Sequence, residues 1–222
     1  MTSTADYDLV IPGLYIGNIY STKDYNFLHT KDIKCVLSVT NNYVQLDKKK
    51  FKHLQFNVND SPWQDLISIF DICYDFINNS LENNRNIYVH CDMGISRSAT
   101  VVIAYLMKKY GDTYESCYSF LKRRRSIVYP NFGFQAQLKL YQKMNYQLGG
   151  NSIYHRLFKN FLIMDIPHNI YRFNVDAYMK FLTKKSPANK MPVASLVAEY
   201  ACGGPAYTDS KGITYRCKGK YY

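Results

Sequence analysis

Residues 86–98 of this 222-residue chain read NIYVHCDMGISRS, and their pattern is the most informative in the chain. Its first five residues, 86–90, are apolar with branched and aromatic side chains, which predicts a buried strand. Residues 97–109 are apolar at helical spacing and end in two lysines shortly before Gly111, which predicts a helix with a glycine stop. The residues between these two elements therefore form a tight loop that joins a strand to a helix.

The segments on either side continue the alternation of strands and helices. Strands are predicted at 9–18, with a break at Pro12-Gly13, at 33–39 and at 51–59. Helices are predicted at 65–82, 113–125 and 132–148. Strands interleaved with helices predict an α/β core.

Composition and charge divide the chain at Gly149-Gly150. With 47% hydrophobic and 20% charged residues, the chain can bury enough apolar surface to repay ordering, which excludes wholesale disorder. The net charge is +11; residues 151–222 hold 11 basic and 4 acidic side chains and so contribute +7 of it. We expect a domain over 7–148 and a basic, partly helical extension over 151–222. Such a charge favours acidic partners.

The spacing of the cysteines and the length of the apolar runs indicate in which cellular compartment the protein lies and whether it binds a cofactor. The six cysteines form no C-x-x-C pair, so the sequence predicts neither a disulfide framework nor a metal site, and it indicates no cofactor. The longest apolar runs, such as 99–107, fall well short of the roughly 20 residues that span a bilayer. The N-terminus lacks a basic segment followed by an apolar one. We therefore expect an intracellular protein, cytoplasmic or nuclear, with no membrane span.

The loop after residue 90 has the composition of a phosphate site. Backbone N–H groups of a tight loop and the positive end of the following helix both attract an anion. Gly94 permits the turn, and Arg97 can hold two phosphate oxygens at once. The same field favours the thiolate of Cys91, a nucleophile. The alternative is a buried core thiol beside a helix-cap arginine, but that cation lies at the wrong end of the helix dipole.

The loop sequence H-C-x-x-G-x-S-R-S resembles that of the dual-specificity branch of the cysteine-dependent protein phosphatases. The resemblance covers about residues 7–146 and includes 11–17, 104–107 and 130–138. It implies a central mixed sheet flanked by helices, with the basic segment as a C-terminal extension.

The resemblance also implies roles for individual residues. Cys91 attacks phosphorus to form a phosphocysteine, Arg97 stabilises the equatorial oxygens, and Ser98 assists departure of the cysteine. His90 positions the thiolate. The phosphate itself is bound by the loop residues Asp92, Met93, Gly94, Ile95, Ser96 and Arg97.

A phosphatase also needs an acid to protonate the departing oxygen. Asp60 follows a predicted strand, lies 31 residues before Cys91, and resembles the general acid of the family. Its alternative role is an Asx turn before Pro62. Asp65 and Asp92 are competing candidates, although Asp65 is placed to cap the following helix and Asp92 would repel the phosphate unless it points outward.

Two further features leave alternatives open. Asn131 resembles a residue that braces the loop, and it is equally a turn former after Pro130. The run from Arg123 to Arg125 either flanks the mouth of the active site or, more commonly for such a run, is a solvated helix end.

The predicted partners are phosphorylated proteins carrying phosphotyrosine and phosphoserine or phosphothreonine. No lysine lies between Cys91 and Arg97, where the phosphoinositide phosphatases of the superfamily place basic residues, so a lipid substrate is disfavoured. The alternatives are a phosphoprotein-binding scaffold with little turnover and an RNA 5′-phosphatase; nucleic acid is a disfavoured but open partner.

Overall fold

The computed structural model describes residues 6–62, 64–156, 158, 207–208 and 214–215. Contacts between residues divide the chain into two units, Met1–Leu148 and Gly149–Tyr222. The second unit includes a short antiparallel ribbon of two strands, Tyr207–Thr208 and Thr214–Tyr215. The predicted helical stripe at 153–162 lies mostly outside the described residues.

The first unit is built on a five-stranded sheet. Its strands are β1 (Tyr7–Ile11), β2 (Leu14–Gly17), β3 (Ile33–Val39), β4 (Lys52–Phe56) and β5 (Asn86–His90). Their order is β1-β2-β5-β3-β4; β1 pairs antiparallel with β2, and all other pairs are parallel. The sheet is therefore mixed, as predicted.

Within the described part of the first unit, five α-helices accompany the sheet. They are α1 (Tyr25–Thr30), α2 (Phe70–Glu82), α3 (Arg97–Tyr110), α4 (Tyr114–Arg124) and α5 (Phe132–Lys143). Short 3-10 helices lie at Ile19–Lys23 and Ile67–Ile69. Helix α3 buries eleven of its fourteen residues, because it packs against the sheet and against α2, α4 and α5. Gly111 ends it in the left-handed conformation, as its sequence position predicts.

Several element boundaries differ from those predicted, and one helix was not predicted. The strand predicted at 51–59 ends at Phe56, and α5 ends at Lys143 rather than at 148, where Asn145 and Tyr146 both take positive φ. Helix α1 was not predicted, because six residues are too few to show a helical period. None of these differences changes the order of the elements.

The parallel strands place their carboxyl ends at one edge of the sheet. Asn18 follows β2, Thr40 follows β3 and Cys91 follows β5, while Asp60 lies four residues after β4 ends. In α/β sheets this edge is where ligands bind. The described residues contain no helix long and apolar enough to cross a membrane.

Candidate active site

The loop that follows β5 turns its carbonyl groups outward. Five successive carbonyls accept hydrogen bonds from outside the loop: Cys91 O from His90 Nδ1 (3.1 Å), Asp92 O from Ile19 N (3.1 Å), Met93 O from Arg125 Nη2 (3.1 Å), Gly94 O from Arg125 Nε (2.8 Å) and Ile95 O from Tyr129 N (2.9 Å). The carbonyl and N–H of one peptide unit point in opposite directions, so the loop amides turn inward. Inward amides of this kind form an anion-binding nest.

Gly94 is required at the turn of this loop. Its φ is +69°, a conformation that side chains disfavour, and a Cβ there would lie 2.6 Å from the backbone of Gly17. Strand β2 and the loop can approach this closely only because Gly94 lacks a side chain.

Cys91 lies at the base of the loop with two donors on its sulfur. The Gly94 N–H donates to Sγ at 3.2 Å, and the Ser98 hydroxyl donates to it at 3.3 Å. Both hydrogen bonds direct a donor at the sulfur atom. Burial raises the pKa of Cys73 and of Cys117, in the case of Cys117 to about 12.

Arg97 is held rigidly beneath the loop. Its Nη1 donates to the Val58 carbonyl at 3.0 Å, and its Nη2 donates to the Asp92 carboxylate at 2.7 Å. Its buried Nε has no hydrogen-bond partner among the described residues and lies 3.8 Å from Oδ2 of Asp60. An orphaned buried N–H is costly, and a phosphate oxygen would satisfy it.

Asp92 points away from the nest, which removes the repulsion that the sequence raised against it. One of its oxygens accepts from Thr40 and Asn42, and the other accepts from Arg97. Burial by itself would raise the pKa of Asp92, but these hydrogen bonds outweigh burial and lower it below its usual value. The carboxylate orients the arginine and is not free to protonate a substrate.

Asp60 stands at the opening of the loop. Its Oδ1 accepts from the Ser96 hydroxyl at 2.7 Å and from Asn131 Nδ2 at 2.8 Å, and its side chain is 37% exposed. Asp65 instead accepts from both the N–H and the hydroxyl of Ser68, so it caps the following turn. Of the three candidate acids, Asp60 is the one both near the nest and open to solvent.

Asn131 both forms the turn before α5 and braces the loop, the two roles that the sequence left open for it. Its Oδ1 caps α5 by accepting from Phe134 N at 3.0 Å, while its Nδ2 donates to Asp60. Its backbone N–H donates to the Ser96 hydroxyl at 3.1 Å. The residue is thus a turn former that also joins α5 to the acid and to the loop.

Sequence reasoning missed two residues that hold the segment around Asp60. Gln137 accepts from the backbone N–H groups of Leu66 and Ile67 and donates to the Gln64 carbonyl. Gly133 lies so close to this segment that a Cβ would be 1.9 Å from the Pro62 oxygen. Both lie within 130–138, a stretch that carried the family resemblance but no predicted role for either.

Arg125 is buried, whereas a solvated helix end, the commoner interpretation of the run 123–125, would leave it exposed. It is 2% exposed and donates to two loop carbonyls as well as to the carboxylates of Asp6 and Asp8. Arg123 and Arg124 are exposed, as that interpretation expects. Nothing local distinguishes the three arginines, because the difference arises only where α4 ends against the loop.

His90 is fully buried, and both of its ring nitrogens are hydrogen-bonded. Nδ1 contacts the Cys91 carbonyl, and Nε2 lies 2.7 Å from the Ser38 hydroxyl. Burial lowers the pKa of His90 to about 4, so the ring is neutral near pH 7. Among the described residues, no group of three or more His, Cys, Asp or Glu side chains could hold a metal ion; Cys202 and Cys217 lie outside them.

A thiol beside an amide nest, with a buried arginine and a nearby carboxyl group, is the arrangement that a cysteine-dependent phosphatase site requires. The family model described as "Dual specificity phosphatase, catalytic domain" matches residues 14–144, and the chain belongs to that family. This assignment confirms the predicted family and enzyme class.

Related proteins agree with it. The chain is 36% identical over 138 residues to dual specificity protein phosphatase 1B of Arabidopsis thaliana. The aligned region spans 62% of this chain and 83% of the relative. It is 35% identical over 134 residues to Slingshot homolog 1 of Mus musculus, covering 60% of this chain but only 13% of that protein.

Solved structures show the same fold. The crystal structure of DUSP15 matches with a TM-score of 0.60 and 33% identity, covering 66% of this chain and 98% of that one. The human tyrosine phosphatase-like serine/threonine/tyrosine-interacting protein matches with a TM-score of 0.61 and 28% identity, covering 64% and 98%. The predicted phosphatase-type α/β fold is therefore confirmed.

Proposed function

We propose that residues 7–148 form a catalytic domain that hydrolyses phosphotyrosine and phosphoserine or phosphothreonine in proteins through a phosphocysteine at Cys91. The observation that carries this proposal is the loop whose five carbonyls all bond outward, which leaves its amides to surround one phosphate above a thiol. A tetrahedral dianion is the ligand that such a nest fits.

In the first step the substrate phosphate sits in the nest and against Arg97. Cys91 Sγ attacks phosphorus, the bond from phosphorus to the substrate oxygen breaks, and Asp60 gives its proton to that oxygen. Donation of this proton matters most for serine and threonine, because an alkoxide is a poor leaving group. The products are the free hydroxyl and a phosphocysteine.

In the second step water attacks the phosphocysteine. Asp60, now a carboxylate, takes a proton from the water, and the sulfur leaves as a thiolate. The Ser98 hydroxyl, which donates to Sγ at 3.3 Å, stabilises the negative charge that returns to the sulfur. Inorganic phosphate then leaves, and the starting state is restored.

A phosphoprotein-binding scaffold is the second candidate, because a relative of the same fold is called a phosphatase-like interacting protein. The combination of Cys91, Arg97 and Asp60 at one opening favours turnover instead. Binding alone would need neither a thiol under two donors nor an acid beside the phosphate.

The test is hydrolysis by the purified full chain of an aryl phosphate, of phosphotyrosine and phosphothreonine peptides, and of a 5′-triphosphorylated RNA. We expect vanadate-sensitive release of phosphate from the aryl and peptide substrates. Cys91→Ser should lower turnover by more than about 10³-fold and still bind phosphopeptide, whereas Cys117→Ser should stay active. Binding without turnover in the wild type would favour the scaffold, and preference for RNA would favour the RNA phosphatase.

For the basic extension we propose an acidic partner and, for the whole chain, action in the cytoplasm or nucleus. The +7 charge of residues 151–222 supports the first, and the free state of Cys35, Cys73, Cys91 and Cys117 fits a reducing compartment. Binding of an acidic polypeptide by the full chain should weaken as salt rises and should weaken further after Lys184→Gln and Lys185→Gln. Salt-independent binding would contradict the proposal.

A further inference from the structure

A row of three polar side chains crosses the sheet beneath the loop. The Ser38 hydroxyl on β3 lies 2.8 Å from Nε2 of His53 on β4 and 2.7 Å from Nε2 of His90 on β5. Ser38 and His90 are fully buried, and His53 is half-buried. Because His90 also contacts the Cys91 carbonyl, the row connects the edge strand to the start of the loop.

The direction of every hydrogen bond in this row can be deduced. A carbonyl only accepts, so Nδ1 of His90 must carry the proton that it shares with Cys91 O. The buried His90 ring is neutral, which leaves its Nε2 as an acceptor, so the single Ser38 proton must point to it. The oxygen of Ser38 then accepts, and Nε2 of His53 must donate.

Ser38 must donate to His90, and His53 must donate to Ser38. If either residue lost its donor, a buried atom of the row would be left unpaired. His53 meets its requirement as a neutral ring protonated on Nε2. Burial, and to a smaller extent Lys48, lowers the pKa of His53, which is consistent with a neutral ring near pH 7. Because the Ser38 oxygen accepts from His53, the Ser38 proton is directed to Nε2 of His90. His53 on β4 therefore influences the tautomer of His90 on β5, two strands away in the sheet.

We propose that Ser38 and His53 are positioning residues for Cys91, which hold His90 as its Nδ1-protonated tautomer and thereby anchor the carbonyl at the base of the phosphate loop. The inference rests on the proposed function, because it concerns how the nucleophile is placed. Without the Ser38 hydroxyl, the buried Nε2 of His90 has no donor, and the tautomer protonated on Nε2 is no longer disfavoured. That tautomer cannot donate to Cys91 O.

The kinetic test compares three variants of the full chain with an aryl phosphate substrate. His53→Phe keeps the size of the ring but removes the donor, and we expect kcat to fall about three- to tenfold, the worth of one hydrogen bond, with KM changed less than about twofold. His53→Gln keeps an N–H donor and should recover kcat to within about twofold of wild type. His29→Phe makes the same exchange at an exposed site on α1 and should have no effect.

The structural test is 15N NMR of the imidazole of His90, which distinguishes a protonated from an unprotonated ring nitrogen without requiring turnover. In the wild type we expect Nδ1 protonated and Nε2 unprotonated. In Ser38→Ala the two signals should move toward a mixture of tautomers. Should that variant fail to fold, His53→Phe at its half-buried position should move them in the same direction.

The outcomes separate this inference from the phosphatase activity on which it rests. An inactive wild type with the expected His90 tautomer would count against the activity alone. Unchanged His90 signals in His53→Phe and Ser38→Ala would overturn the positioning role. Equal loss of kcat in His53→Gln and His53→Phe would also overturn it, because a role in packing alone would not be rescued by a donor.

Discussion

Arg125 Nε donates a hydrogen bond of 2.8 Å to the carbonyl oxygen of Gly94, although 31 residues separate the two in the chain. The same guanidinium reaches the Met93 carbonyl and the carboxylates of Asp6 and Asp8. The turn of the phosphate loop is therefore held from behind by the end of α4, and that helix end is tied to the first strand of the sheet.

Replacing Arg125 should loosen the loop. For Arg125→Met we expect the free energy of unfolding to fall by about 2–3 kcal/mol, the scale for hydrogen bonds to a charged group, and kcat to fall by about tenfold. Chemical denaturation and steady-state kinetics measure the two effects. Arg123→Met, at an exposed site on the same helix, is the control and should change neither. Wild-type kcat in Arg125→Met would show that the loop keeps its shape without this clamp.

Acid should weaken the fold through carboxylates that are hydrogen-bonded to arginine. Hydrogen bonds from Arg125 lower the pKa of Asp6, and those from Thr40, Arg97 and Asn42 lower that of Asp92 against the effect of burial. A carboxyl group with a lower pKa in the folded state stabilises it above the unfolded pKa, and this stabilisation is lost as pH falls through the folded pKa.

Urea midpoints should therefore be level above about pH 5 and fall below about pH 4. Asp6→Asn should lower the midpoint at pH 7 and reduce the fall between pH 5 and pH 3. A midpoint for Asp6→Asn that runs parallel to the wild type over this range would contradict the assignment to Asp6.

Loss of the Asp60 carboxyl group should slow hydrolysis most for substrates with a poor leaving group. Asp60→Asn keeps an oxygen that can accept from Ser96 and Asn131 but has no proton to give. We expect hydrolysis of phosphothreonine peptide to slow by about 10²–10⁴-fold, and that of an activated aryl phosphate far less. Asp65→Asn, the matched control, should leave both rates near wild type. Equal loss on both substrates would point to a role for Asp60 in holding the loop rather than in proton transfer.

Among the cysteines of the described residues, Cys91 should react first with iodoacetamide at neutral pH. Two hydrogen-bond donors contact the sulfur of Cys91, whereas burial raises the pKa of Cys117 to about 12 and also raises that of Cys73. Peptide mapping after limited labelling measures the order, and inorganic phosphate should protect Cys91 specifically. Labelling of Cys117 or Cys35 ahead of Cys91 would run against the proposed nucleophile.

Gly133 tests whether the segment that carries Asp60 must lie against α5. Alanine normally stabilises a helix relative to glycine, by about 1 kcal/mol. For Gly133→Ala we expect the opposite sign, because the new Cβ would lie 1.9 Å from the Pro62 oxygen and would displace the segment after Asp60. Thermal unfolding and kcat should both fall. Gly149→Ala, where a Cβ meets nothing within 4 Å, is the control. A more stable Gly133→Ala variant would show that the segment yields without cost.

Elements with a local pattern of side chains could be predicted from the amino-acid sequence. The strands at β3 and β5 were predicted to the residue, because a short run of branched apolar side chains is a local pattern. The helix after the loop and its stop at Gly111 follow from spacing and chain chemistry in the same way. Cys91, Gly94 and Arg97 were likewise predicted as site residues from a single stretch of seven residues.

Which groups face one another across the site depends on how the strands and helices pack, and the sequence did not predict it. Asp92 and Asp60 are both acids near the loop, and what separates them is that one is occupied by Arg97, Thr40 and Asn42 while the other stands open beside Asn131. Three adjacent arginines are chemically identical, yet Arg125 alone among them is buried against the loop. Hydrogen bonds between residues 30 to 120 positions apart depend on how strands and helices pack, and no local pattern of side chains encodes that packing.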